Sequence, residues 1–106
     1  MSAEAERMFD EVSDWLAQEL PSARATERES AVLEEAVSRF VEARKLVDPD
    51  DPYAYVTHFF GADGVGFEKQ RTPALQRVSG LTPDDTMRIC DALGEIAMRL
   101  ERESLA

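Results

Sequence analysis

Apolar side chains recur at three- and four-residue intervals in three long runs of this sequence, and prolines stand between the runs. A chain patterned this way buries its apolar residues on one side by coiling into helices. In the first run Met8, Phe9, Val12, Trp15, Leu16 and Leu20 share a face, while Asp10, Glu11, Asp14 and Glu19 lie elsewhere on the wheel. The spacing predicts a helix over 3–20. Glu4 and Glu6 suit the positive end of its dipole. Pro21 is expected to end it, because the residue before a proline is steered out of the α region.

The second run carries Leu33, Ala36, Val37, Phe40, Val41 and Val47. Its helix is expected to start between Ser22 and Thr26, since Thr26 and Glu29 have the spacing of a capping box. Glu35 and Arg39 form an i,i+4 pair in the better orientation. The helix should stop near Val47, ahead of the turn-rich Asp48-Pro49-Asp50-Asp51-Pro52. The third run is the best defined. Thr82 is a good N-cap, Pro83 sits where its missing amide costs nothing, and Asp84 and Asp85 follow in the first turn. Ile89, Leu93, Ile96 and Leu100 line one face beside Met87, Cys90 and Ala97, and Arg99 and Arg102 favour the last turn. Gly94 lies mid-helix at about 1 kcal/mol against alanine and marks a close helix–helix contact.

Between these runs, 73–78 reads as a short helix capped by Thr72 and stopped by Gly80. Two readings compete for 52–60. Asp51-Pro52 has the look of a cap and first turn, which favours a short helix. The alternation of Tyr53, Tyr55, Thr57 and Phe59 with Ala54, Val56, His58 and Phe60 suits a strand instead, returning over 65–69. A lone hairpin is marginal in water unless it packs on helices, so the helix is preferred. The expected fold is all-α, a bundle-like single domain over 1–106 with four to five short helices, the alternative adding a β-hairpin at 53–69.

Composition narrows the function classes. Hydrophobic residues make up 43% of the 106 residues, the share of a globular domain. No apolar run approaches the roughly 20 residues of a membrane span, and the acidic, polar start resembles no targeting segment. A single cysteine, Cys90, forms no internal disulfide, so the cytoplasm is the expected compartment. The 22 acidic side chains exceed the 12 basic ones, for a net charge of −10. That charge opposes nucleic acid and anionic membranes and favours basic protein partners. Ten arginines against two lysines, with abundant alanine, is the bias of a GC-rich bacterial genome.

One stretch resists the bundle reading. Residues 57–71, THFFGADGVGFEKQR, hold the only histidine, His58, and three of the five glycines, Gly61, Gly64 and Gly66. The glycine order is not a dinucleotide fingerprint, and no Gly-Lys-Ser/Thr follows to make a phosphate loop. The plain expectation is a turn in which glycines supply positive φ and return Val65 and Phe67 to the core. The chemical alternative is a small ligand pocket or accessory enzyme. There His58 would be the acid–base group, Asp63 its orienting partner, and Tyr55 and Glu68 polar contacts.

Other chemistry finds little support. One histidine and one cysteine make no zinc spacing. Asp48, Asp50 and Asp51 lack the glycine and terminal glutamate of a calcium loop. No metal and no cofactor is expected. Cys90 and Trp15 fall on apolar faces and read as core. Residues 75–83 resemble the centre of a helix-turn-helix, but Asp84 and Asp85 would aim acid at phosphates. The reading that remains is a non-enzymatic protein-binding or regulatory module with an acidic, partly apolar helical surface. It would act as a homodimer or on a basic partner, through Tyr53, Tyr55, Phe59 and Phe60 beside Asp50 and Asp51.

Overall fold

The structure is a computed structural model that describes residues 2–61 and 72–105. Among the described residues four α-helices run in the order α1 (Ala3–Ala23), α2 (Glu29–Arg44), α3 (Val56–Phe60) and α4 (Pro83–Ser104), with a 3₁₀ turn at Ala74–Arg77 between the last two. The all-α expectation holds. Helix α1 packs on α2 and on the 3₁₀ turn, and α4 packs on α2 and α3. No helix among the described residues is long and apolar enough to cross a membrane.

The core forms where the apolar faces meet. Phe9 of α1, Phe40 of α2, and Phe59 and Phe60 of α3 are all buried, and they join Leu16, Leu20, Leu33, Ile89 and Leu93. The rings interlock at tilted angles. Phe40 lies 4.7 Å from Phe59 and 5.7 Å from Phe9, and Phe59 meets Phe60 edge-on at 5.0 Å between centroids. Such contacts add to the area buried, because ring edges carry positive and faces negative charge.

The start of α4 follows the sequence expectation. The Thr82 hydroxyl accepts from the Asp85 amide at 3.1 Å, and the Asp85 carboxylate accepts from the Thr82 amide at 3.1 Å. Glu35 and Arg39 pair at 2.9 Å. Gly94 also does what its position implied: a methyl group built on it would lie 3.2 Å from Thr57 Cγ2, so the missing side chain lets α3 approach α4.

Several expectations need correction. Among the described residues no strand of the alternative hairpin is present. Its first arm is a turn over 52–55 followed by α3, and its return, residues 65–69, lies outside the described residues. Local alternation at 53–60 lost to the burial of Val56, Phe59 and Phe60 on one side of a helical turn. Helix α1 does not stop at Pro21 but continues to Ala23, with the Arg24 amide donating to Leu20 at 2.8 Å. Leu20 and Ala23 are fully buried, and that burial holds the last turn despite the bond Pro21 cannot make.

The capping box at Thr26 is also displaced. Helix α2 starts at Glu29, and the Thr26 hydroxyl donates to the Ala23 carbonyl at 2.6 Å and accepts from the Arg28 amide at 3.2 Å. Glu29 reaches back past Thr26 to the Ala25 amide, at 2.8 Å, where the chain turns with Ala25 at φ 60°. Helix α2 ends at Arg44, short of the expected end, and Val47 is exposed. The predicted helix at 73–78 is a single 3₁₀ turn led by Pro73, with no side-chain cap from Thr72.

Glu29 couples three elements. Its carboxylate takes two hydrogen bonds from Arg88 of α4, one at 3.1 Å, while holding Ala25 after α1. The Arg88 hydrogen bond holds the Glu29 carboxyl below its ordinary value, against burial, which raises it. Asp85 is lowered too, chiefly by its bonds from Thr82. A carboxyl depressed in the folded state contributes stability above its unfolded pKa and loses it as pH falls through the folded one. The melting temperature is therefore expected to decline as pH drops below the ordinary glutamate value of 4.5. Glu29→Gln should flatten that decline in thermal melts followed by circular dichroism, and an unchanged profile would mean other groups control it.

Candidate functional site

The short helix α3 covers only part of the flank of α4. With 22 residues α4 is about 33 Å long, whereas five-residue α3 spans about 8 Å. The uncovered flank forms a groove of about 590 Å³. One wall is Tyr53, Tyr55, Val56, Thr57 and His58, and the other is Cys90, Asp91, Gly94, Glu95, Ala97, Met98 and Glu101 of α4. Gly94 against Thr57 is where the walls come closest to touching.

Buried Arg44 builds the tyrosine wall. Its guanidinium lies 5.2 Å from the centre of the Tyr55 ring, donates to the Asp51 carbonyl at 3.3 Å and pairs with Asp48 at 3.5 Å. These contacts tie the 48–55 turn to the end of α2. Tyr55 takes the left-handed conformation, φ 68°, which L-residues adopt at some strain, and its carbonyl receives the first bond of α3, from Phe59 at 2.8 Å. His58 stands edge-on to the Tyr55 ring, 5.7 Å between centroids.

Two hollows flank α4, and Glu95 stands on the border between them. Asp91, Glu95 and Glu101 face the groove, and among the described residues none of these carboxylates is in an ion pair. No arginine among the described residues lines this groove. Arg99 and Arg102 line a second hollow between α2 and α4, which Glu95 and Met98 also border, and Arg99 is bound to Glu34 at 2.9 Å and Glu103 at 3.2 Å. The groove therefore combines an aromatic wall, three uncompensated acids and the half-exposed thioether of Met98.

The residues singled out from sequence scatter. Tyr53, Tyr55 and His58 line the groove. Phe59 and Phe60 are buried in the aromatic core and present nothing to a partner. Asp50 and Asp51 are exposed in the turn, away from the groove lining. Asp63, Glu68, Gly64 and Gly66 lie outside the described residues. Cys90 sits in the groove wall but is buried, and burial, with Asp91 adding to it, pushes its thiol up, away from the nucleophilic thiolate. Among the described residues no three His, Cys, Asp or Glu side chains gather as a metal site. The segment before α4 is a 3₁₀ turn rather than the first helix of a helix-turn-helix.

Comparison of the chain with protein-family models, with curated proteins and with solved structures gives no match.

Proposed function

We propose that the protein is a non-enzymatic cytoplasmic binding module that holds a basic partner protein in the groove between α3 and α4. The observation that carries this reading is a groove lined by three acids and, among the described residues, by no lysine or arginine. Three carboxylates with no ion pair among the described residues line one groove, Glu95 at its border with the arginine-bearing hollow, next to apolar surface from Tyr53, Tyr55 and Met98. Uncompensated acids beside aromatic surface suit a cationic partner, whose charges would speed encounter and fix register. The net charge of −10 extends the attraction beyond the groove. The same charge opposes pairing two copies groove to groove.

His58 in the groove wall supports a second reading, a small-molecule pocket with His58 as its acid–base group. Two variants separate the readings. The double variant Asp91→Lys, Glu95→Lys places two cations in the groove and is expected to weaken the captured partner on the order of 10²-fold. His58→Ala is expected to leave that affinity within a few-fold. The measurement is capture from host extract at low salt, identification by mass, and titration of the purified partner. Equal affinity for the wild type and the double variant would overturn the groove reading. A small-molecule adduct lost with His58→Ala would favour the pocket.

A further inference from the structure

We infer, resting on that reading, that the segment seated in the groove is a basic amphipathic helix of about three turns, one face of which sinks between α3 and α4. Length is the first argument. From Asp91 to Glu101 the acidic wall of α4 covers about 15 Å, the rise of some ten helical residues. Asp91 and Glu95 stand one turn apart, about 6 Å along the axis, and Glu101 lies about 9 Å further. Arginines or lysines one turn apart on a facing helix, with a third nearly two turns on, meet all three. An extended chain passes the same distance in four or five residues and presents alternate side chains to opposite sides.

Volume gives the second argument. A helix about 15 Å long and about 10 Å wide occupies about 1,200 Å³. The groove holds about 590 Å³, room for one face of such a helix, the other remaining in water. The third argument is the wall itself. There is no strand among the described residues, so strand addition has no edge to extend. Two helices lying side by side accept a third by seating its ridge between theirs. Met98 at the rim, 56% exposed, supplies a flexible apolar contact that adapts to the side chains it meets.

Two synthetic probes of the same composition test this. Both carry arginines at i, i+4 and i+10 beside a leucine–alanine strip on the same face, and they differ in whether the single proline lies at the N-terminus or at the centre, where it breaks the helix. Fluorescence anisotropy against the full chain is expected to show the intact helix binding at least about tenfold tighter than the broken one. Its helicity should rise on binding, and its affinity should fall on the order of 10²-fold in the Asp91→Lys, Glu95→Lys variant. Circular dichroism of that variant checks that the fold is kept, as the exposure of both side chains implies. Equal binding of the two probes, or binding without gained helicity, overturns the inference, because the groove would then be reading charge alone. Failure of both probes, while the natural partner still depends on Asp91 and Glu95, overturns the helix and leaves the groove standing. A natural partner indifferent to both acids overturns the groove reading itself.

Discussion

Alanine at Phe40 is expected to lower the stability of the domain by about 3–5 kcal/mol, the range for truncating a buried aromatic. Phe40 is the ring on which the others converge. It contacts Phe9 of α1 at 5.7 Å, Phe59 of α3 at 4.7 Å and Phe60 at 5.9 Å between centroids, and none of its surface reaches solvent. Removing it opens a cavity at the junction of three helices, where no single side chain can collapse to fill the space. Domains of this size have total stabilities of about 5–15 kcal/mol, so the variant should stand close to unfolding at ambient temperature. The melting temperature should drop by more than about 10 °C. Phe40→Leu keeps most of the volume and should lose far less. Urea titration of both variants checks the prediction. A loss below about 1 kcal/mol for alanine would mean the rings do not carry the core.

How much of this was legible in the sequence depends on the range of the interaction. The Thr82–Asp85 cap and the Glu35–Arg39 pair were readable because each closes within four residues. Gly94 was readable for a different reason: a glycine mid-helix is unfavourable alone, and the close approach of Thr57 accounts for it. Pro21 and Thr26 misled because the end of α1 is decided by the burial of Leu20 and Ala23 and by the reach of Glu29 to Arg88, 59 positions away. Residues 53–60 left two readings open, of which the preferred helix forms over 56–60, because alternation and a helical turn put Phe59 and Phe60 equally within reach of a core. Only contact with Phe40 distinguishes them.

The groove was half legible. Tyr53, Tyr55 and His58 were singled out by residue type, and they line one wall. The opposite wall was missed, although its signal is in the sequence. A helical wheel of 83–104 places Asp91, Gly94, Met98 and Glu101 on one side, with Arg88 and Arg99 turned toward the other and Glu95 and Arg102 at the border between them. Sorting the charges of the third run by face, rather than only its apolar residues, would have found it. That an acidic side becomes a groove could not be read, because it depends on α3 being only five residues long.

Arg44 ties that groove to the core, and alanine there is expected to cost about 3 kcal/mol. The side chain is 4% exposed. Breaking a buried charged pair at one end costs about 3–5 kcal/mol when the other charge is stranded. Asp48 is not stranded, since its side chain is 45% exposed and water can take over, so the lower figure applies. The second consequence concerns Tyr55. Its left-handed backbone is supported by the Arg44 guanidinium near its ring and at the Asp51 carbonyl, and without them the 48–55 turn is free to relax. Tyr53 and Tyr55 then leave the groove wall, and the helical probe should lose affinity by about tenfold, a loss of roughly 1.4 kcal/mol. Arg44→Met separates the two effects. Methionine refills the space without a buried charge and should restore most of the stability. It offers no donor to Asp51, so binding should stay weak. Urea titration reads the first effect and anisotropy the second. Full binding by the methionine variant would make Arg44 a filler of the core rather than the residue that sets the tyrosine wall.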